Sequence, residues 1–166
     1  MIEKFLPDER QQSIYTIDYE ALWHKGFRGL IFDLDNTLGP HNFSVLDESV
    51  FALLAKLKRQ NFRMAFISNH NGEGRQWMNK KFDGTSLIFH AKKPFRSKFL
   101  RTLQTLQLKP EETAMIGDQL FTDILGAKRC GIYTILVAPV DERTDTWPIR
   151  WRRRMERQLL DRQSKT

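Results

Sequence analysis

The chain has a single cysteine, Cys130, among its 166 residues. A lone thiol excludes an internal disulfide and any thiolate metal cluster, and this one reads as a small buried hydrophobe near a helix end. No stretch approaches the roughly 18 consecutive apolar residues needed to cross a bilayer. Residues Met1–Glu9 lack the apolar core of a secretory leader, so a cytoplasmic protein is expected. The histidines His24, His41, His70 and His90 show no ligand spacing, which points to surface or turn positions. Repeats, low-complexity tracts and domain-separating linkers are missing too. The expectation is one domain over residues 1–166, long enough to bury a core.

Net charge is nearly absent over most of the chain and concentrated at its end. The net charge is +7, and from Trp147 onward seven bases face two acids, so five of those excess charges lie in the last twenty residues. A general basic surface for nucleic acid is therefore not favoured, and the basic tail is the feature to explain. Pro148 is placed to begin a helix over about 147–162. On it Trp147, Trp151, Met155 and Leu159 share one face, and Arg150, Arg153, Arg154 and Arg157 an adjoining one. Tryptophan beside arginine suits the surface of an anionic membrane. The plainer alternative is that the apolar face packs on the domain while the arginines are solvated.

What the chain does have is a series of short apolar runs, each entering a polar cluster. Residues 30–34 form the first strand, leading into Asp33 and Asp35 with Thr37 beyond. Met64–Ser68 is the second, followed by the turn Asn69–Gly74. Leu87–Phe89 is the third, Ala114–Gly117 the fourth, and Ile132–Val137 the last. Helices are expected between them: a short one capped by Asp18 and ended by Gly26, then Asp47–Gln60, about Gln76–Phe82, and Leu120–Arg129. A further helix opens at Lys92-Lys93-Pro94 with Phe95, Phe99, Leu103 and Leu106 on one face. Strands alternating with helices at this spacing give an α/β fold, a Rossmann-like and mainly parallel sheet with helices on both faces.

In such sheets ligands collect at the carboxyl ends of the strands. That rim would gather Asp33 and Asp35, Ser68 and Asn69, Lys93, and Asp118 with Asp123. Several carboxylates without thiolates favour a hard, oxygen-ligated cation such as Mg²⁺. A lysine beside them can neutralise a phosphoryl group, and Thr37, Ser68 and loop amides can donate to its oxygens. A carboxylate can also act as a nucleophile through an aspartyl-phosphate. A second one two residues away can protonate the leaving oxygen and then activate water.

These stretches resemble the haloacid dehalogenase (HAD) superfamily of phosphotransferases. Asp33-Leu-Asp-Asn-Thr37 resembles its motif D-x-D-x-T, Phe66-Ile-Ser68 its strand ending in Ser, and Lys93-Pro94 its lysine motif. Gly117-Asp-Gln-Leu-Phe-Thr-Asp123 resembles its G-D-x-x-x-x-D. The resemblance implies Asp33 as nucleophile and Asp35 as general acid/base. It implies Mg²⁺ held by Asp33, the backbone carbonyl of Asp35 and Asp118, with Asp123 supporting the metal shell. Ser68 and Lys93 would bind phosphoryl oxygens, with Thr37 and Asn69 as further phosphate-binding residues. Phe5–Glu9, Ser13–Tyr15 and Thr134–Val137 add a likeness to the YqeG-type, subfamily IIIA branch, which is similar to mitochondrial phosphatidylglycerophosphate phosphatases.

The intervals Asp35–Ser68 and Ser68–Lys93 are too short for a cap domain. An uncovered site suits a phosphate presented on something large, and phosphatidylglycerophosphate, with Mg²⁺ as cofactor, is the substrate the resemblance implies. The tail would then attach the protein peripherally at the inner face of the membrane. Alternatives are a phosphatase for polynucleotide ends or soluble phosphomonoesters, and a non-catalytic basic binding module. The full set of acids, serine and lysine argues against the last.

Overall fold

The structure is a computed structural model, and it describes residues 5–82 and 85–163. Lys165, counted in the basic tail, and Met1–Lys4 of the N-terminal segment lie outside the described residues. A single sheet of six parallel strands runs in the order β1-β6-β5-β2-β3-β4. The strands are β1 (Glu9–Gln11), β2 (Gly29–Phe32), β3 (Arg63–Ile67), β4 (Ser86–Ile88), β5 (Thr113–Gly117) and β6 (Tyr133–Val137). The helices are α1 (Tyr19–His24), α2 (Glu48–Arg59), α3 (Trp77–Lys81), α4 (Arg96–Leu106), α5 (Leu125–Lys128) and α6 (Trp147–Gln163). A π-helical segment, Leu120–Ile124, runs directly into α5.

Strand β2 lies in the middle with both faces covered, which is why it reads as an unbroken apolar run. Successive side chains point to opposite sides. Leu30 and Phe32 join a core with Leu22 of α1 and Leu54 and Leu57 of α2. Ile31 joins a second core with Phe99 and Leu103 of α4 and Ala127 of α5. Phe32 is level with Phe66 of β3 and with Ile116 of β5. The residues after these three strands therefore leave the sheet at one rim.

Local signals explain the helix ends. Asp18 accepts from the Ala21 N–H at the start of α1, and Asp47 accepts from the Ser49 N–H at the start of α2. Gly26, at φ +98°, follows α1 as expected. Cys130 is buried just past α5, also as expected.

Four expectations need correction. The first strand stops at Phe32, so Asp33 and Leu34 lie in the turn beyond it. Pro94 is not in a first helical turn. The Lys93–Pro94 peptide is cis, α4 begins at Arg96, and both the N–H and the carbonyl of Lys93 are bound to the Asn69 side chain. Phe95 is accordingly exposed, while Phe99, Leu103 and Leu106 form the buried face. Arg153 does not belong to a solvent-facing row: it is 5% exposed and points into the domain, together with Ile149 and Glu156. The face bearing Trp147, Trp151 and Met155 turns outward instead, so the helix docks by a different face from its most apolar one. Strand β1, short and polar, is an addition that no periodicity announces.

Candidate active site

The ends of β2, β3 and β5 deliver Asp33, Ser68 and Asp118 to the rim, and the loop after β4 brings Lys93 beside them. Lys93 is buried, and its ammonium donates to Asp33 Oδ1, to Asp123 Oδ1 (2.6 Å) and to the Ile67 carbonyl (3.1 Å). An ammonium has three protons, and all three are used. Burial disfavours its charge, but the carboxylates of Asp123 and Asp33 outweigh that and raise its pKa above the ordinary lysine value. Lys93 is thus a permanent cation.

Asp123 reaches this cluster because of Gly117. A Cβ at that position would lie 2.5 Å from Asp123 Oδ2. The glycine of the G-D-x-x-x-x-D stretch is therefore a clearance for the acid six residues later. The Asp123 carboxylate also accepts from the Gln119 N–H at 3.2 Å.

Oxygens of Asp33, Asp118 and Asp123 come within 4.8 Å of one another, all three residues being buried. Burial, with repulsion from Asp123 and Asp118, pushes the Asp33 carboxyl well above its ordinary value despite the opposing Lys93. Burial likewise lifts Asp118 to about 6, with Arg153 opposing and Asp123 adding to the rise. Carboxylates so crowded are under-compensated, and a divalent cation relieves that. Their all-oxygen donor set fits Mg²⁺. The cluster contains Asp123 beside Asp33 and Asp118, the two side chains expected to hold the metal. The Asp35 side chain lies outside the cluster.

Asp35 is occupied elsewhere. Arg75, 1% exposed, donates to it in a fork, Nη2 to Oδ1 at 2.5 Å and Nη1 to Oδ2 at 3.0 Å. The Asn42 N–H (2.9 Å) and the Ser68 hydroxyl (3.2 Å) add to the grip. Burial alone would raise the Asp35 pKa, but the Arg75 fork and the Asn42 amide hold it below the usual carboxylate range. The guanidinium rests 4.0 Å above the centre of the Phe43 ring.

Thr37 and Asn69 play tethering parts in this geometry. The Thr37 hydroxyl stands 3.2 Å from both Asp33 Oδ2 and Asp118 Oδ1, linking the two acids. The Asn69 amide clamps the Lys93 backbone, accepting its N–H at 2.7 Å and donating to its carbonyl at 3.3 Å. Ser68, besides meeting Asp35, accepts from the His70 N–H.

Further residues complete the site without having been foreseen. Arg153 from α6 donates to both Asp118 and Asp145, and Asn36 donates to Asp145 as well. His41 Nδ1 is 3.8 Å from Asp35, and His70 Nδ1 accepts from the Gly72 N–H. The tail helix is therefore wired into the acid cluster. The only local hints were the D-x-D-N-T asparagine and a basic run whose charges could not be told apart by spacing.

Asp33, Asp35, Ser68 and Lys93 share one cavity of about 190 Å³, which Ile149 and Arg152 of α6 also border. A larger hollow of about 500 Å³, bordered by Asp8, Phe27, Glu111, Lys128 and Tyr133, takes in none of these four residues. Such a site, with a carboxylate beside a fixed cation and a group of acids that could hold a divalent ion, is chemically equipped for phosphoryl transfer.

Comparison with known proteins agrees. A HAD-hydrolase-like family model matches residues 90–146. The chain is 36% identical to "Probable phosphatase YqeG" of Bacillus subtilis over 96% of its own length and 92% of that protein. It is 28% identical to the chloroplastic/mitochondrial phosphatidylglycerophosphate phosphatase 1 of Arabidopsis thaliana, over 95% of this chain but only 47% of that longer protein. Among solved structures, a HAD-superfamily hydrolase from Ehrlichia chaffeensis superposes with a TM-score of 0.56 at 20% identity, covering 82% of this chain and 98% of that one.

Proposed function

The chain belongs to the HAD phosphatases, in the branch of the Bacillus protein, and from that premise we propose that it is a Mg²⁺-dependent phosphomonoesterase working through an aspartyl-phosphate on Asp33. The observation that carries this reading is the meeting of Asp33, Ser68, Lys93 and Asp118 at the ends of neighbouring parallel strands, with Lys93 hydrogen-bonded to Asp33. HAD phosphatases generally use Mg²⁺. Here Asp33 and Asp118 would hold it, with Asp123 beside them, and bound it would neutralise charge on the phosphoryl oxygens.

A carboxylate oxygen of Asp33 attacks phosphorus, and the bond from phosphorus to the substrate's alcohol oxygen breaks. Asp35 gives that oxygen its proton, one brought in by the monoanionic phosphate group itself. Water then attacks the phosphorus of the aspartyl-phosphate. Asp35, ionised and oriented by Arg75, takes the water's proton, and inorganic phosphate leaves Asp33 restored. With substrate bound, Lys93 and Ser68 each turn a donor from their present carboxylate partners to the non-bridging oxygens.

The substrate we infer is phosphatidylglycerophosphate. Support comes from the similarity to the Arabidopsis phosphatase over nearly the whole of this chain, and from connections around the cavity too short to hold a cap. The outward face of α6 adds to it: Trp147 and Trp151 are 77% and 58% exposed, with Arg150 and Arg154 also outward. That combination suits peripheral attachment to an anionic membrane. No helix of the described chain is long and apolar enough to cross one.

The test is phosphate release from phosphatidylglycerophosphate in vesicles, set beside nucleic-acid ends and soluble sugar phosphates, with radiolabelled substrate and an acid quench. Label on Asp33, absent from Asp33→Asn, is the expected result. Turnover by Asp33→Asn at more than about a tenth of wild type would remove Asp33 as nucleophile, since such a change normally costs orders of magnitude.

A further inference from the structure

The cations around the cavity are not equivalent. Lys93 is shared by Asp33 and Asp123, Arg75 is forked to Asp35, and Arg153 is held between Asp118 and Asp145. Each is neutralised by the fold itself. Arg152 also borders the cavity, half-buried on α6, yet it forms no ion pair with any described residue. A guanidinium kept beside an anion-binding cavity without a carboxylate partner has its fork of donors available to a ligand.

Its position indicates which part of a ligand it would meet. The reacting phosphate is placed by Asp33, Ser68 and Lys93, all delivered from the sheet rim, whereas Arg152 enters from α6. Ile149 lies three residues earlier, on the same side of the helix, and borders the same cavity. A ligand running from the sheet rim toward α6 would meet both an apolar side chain and a cation.

We propose that Arg152 is a specificity-determining residue that binds a second phosphate, carried on the leaving-group side of the substrate across a short carbon spacer lying against Ile149. The preferred substrate class is thus a phosphomonoester whose alcohol bears another phosphate, as a diester in a lipid headgroup or as a monoester in a soluble bisphosphate. The inference rests on the phosphatase reading and narrows its substrate. It adds nothing to the chemistry at Asp33: Arg152 acts on affinity.

The experiment compares glycerol 1,3-bisphosphate with glycerol 1-phosphate in the wild type and in Arg152→Gln, Arg152→Lys and Arg154→Gln. The wild type prefers the bisphosphate. Arg152→Gln lowers that preference about tenfold, the scale of one charge-assisted contact at a half-buried site, and does so through KM. Arg152→Lys keeps part of it. Arg154→Gln, which removes the same charge from the outward side of the helix, leaves the ratio in place. An unchanged ratio in Arg152→Gln, or an equal fall in Arg154→Gln, overturns the proposal. Calorimetric binding of the bisphosphate to Asp33→Asn, with and without Arg152→Gln, gives the same comparison without turnover. Phosphatidylglycerophosphate in micelles separates the two sources. Hydrolysis with the same Arg152 dependence identifies the lipid diester. A wild type that leaves it intact while still preferring the bisphosphate sinks the lipid substrate and retains Arg152 as the second-phosphate residue.

Discussion

Arg153, on the C-terminal helix, donates to the carboxylate and the carbonyl of Asp118, 35 residues earlier at the end of β5. Its guanidinium also binds Asp145, so a single buried cation ties α6 to the acid cluster and to the loop before it. Removing one partner of a buried pair leaves the other charged and unsolvated. Arg153→Ala is expected to lower unfolding stability by about 3–5 kcal/mol. It should also undock α6, readable as faster hydrogen exchange across Trp147–Gln163. A loss below about 0.5 kcal/mol with unchanged exchange would show that the helix is held by its apolar contacts alone.

Arg75 should matter in a pH-dependent way. Folding lowers the Asp35 pKa, chiefly through the Arg75 fork working against burial. The stabilisation is therefore complete above the unfolded value, near about 3.9, and is lost as pH falls through the folded one. Arg75→Gln is expected to destabilise by about 3 kcal/mol at pH 7 and by much less once the pH is below the depressed folded value, where Asp35 is protonated in both proteins. The acid limb of the rate profile should move to higher pH. Equal losses at both pH values would mean that Arg75 acts through its packing on Phe43.

The acid cluster predicts a thermal signature of metal binding that does not depend on turnover. Mg²⁺ at a hundredfold excess over its dissociation constant stabilises the folded state by about 2.7 kcal/mol, a rise in Tm of several degrees. Asp118→Asn should abolish that rise. A rise that survives the substitution would place the ion away from Asp33, Asp118 and Asp123.

The strands and the acids at their ends were readable because burial on both faces makes β2, β3 and β5 unbroken apolar runs, and a carboxylate after such a run stands out. Leu30, Ile31 and Phe32 followed by Asp33 is the clearest case. Arg75 and Arg153 were not readable in the same way. Asp35 and Asp118 lie 40 and 35 residues from them, and nothing in local periodicity separates a guanidinium that turns inward from its solvated neighbours. The tail shows the point most sharply. Helical spacing correctly groups Trp147 with Trp151 and Met155, yet the docking face is chosen by Asp118 and Asp145, which the helix itself does not contain. Strand β1 escaped because three polar residues at an edge carry no alternation to read.

Glu156 offers a second pH test, of opposite sign. Burial on the inward side of α6 raises its carboxyl to about 7, although the Phe121 N–H and Arg153 oppose the shift. In the unfolded chain it ionises near its ordinary value, so between there and pH 7 the folded state holds more protons. Stability should fall as pH rises through that window. Glu156→Gln keeps an oxygen for the Phe121 amide and has no charge to bury. It should gain about 1–3 kcal/mol over the wild type at pH 8 and almost nothing at pH 5, measured by denaturant melts in metal-free buffer. A gain of equal size at both values would mean that ionisation of Glu156 is not its source.

The outward face of α6 makes the last prediction. Of the arginines first grouped on that helix, Arg153 is buried, Arg157 is paired with Glu142, and Arg150 donates to the Arg143 carbonyl while remaining exposed. The charges left facing solvent beside Trp147 and Trp151 are those of Arg150 and Arg154. Near-surface bases contribute about 1 kcal/mol each at an anionic bilayer, so Arg150→Gln with Arg154→Gln should weaken vesicle binding about thirtyfold. Trp147→Ala with Trp151→Ala should weaken it further, by removing apolar surface from the interface. Binding should require anionic lipid and decline with salt. In each variant the ratio of vesicle to soluble turnover should fall with vesicle affinity, because the substitutions act on encounter with the membrane and lie away from Asp33. Sedimentation with phosphatidylglycerol-containing vesicles, read beside phosphate release, decides it. Equal co-sedimentation of wild type and both double variants would end the interfacial role of α6 while leaving its anchoring through Arg153 intact.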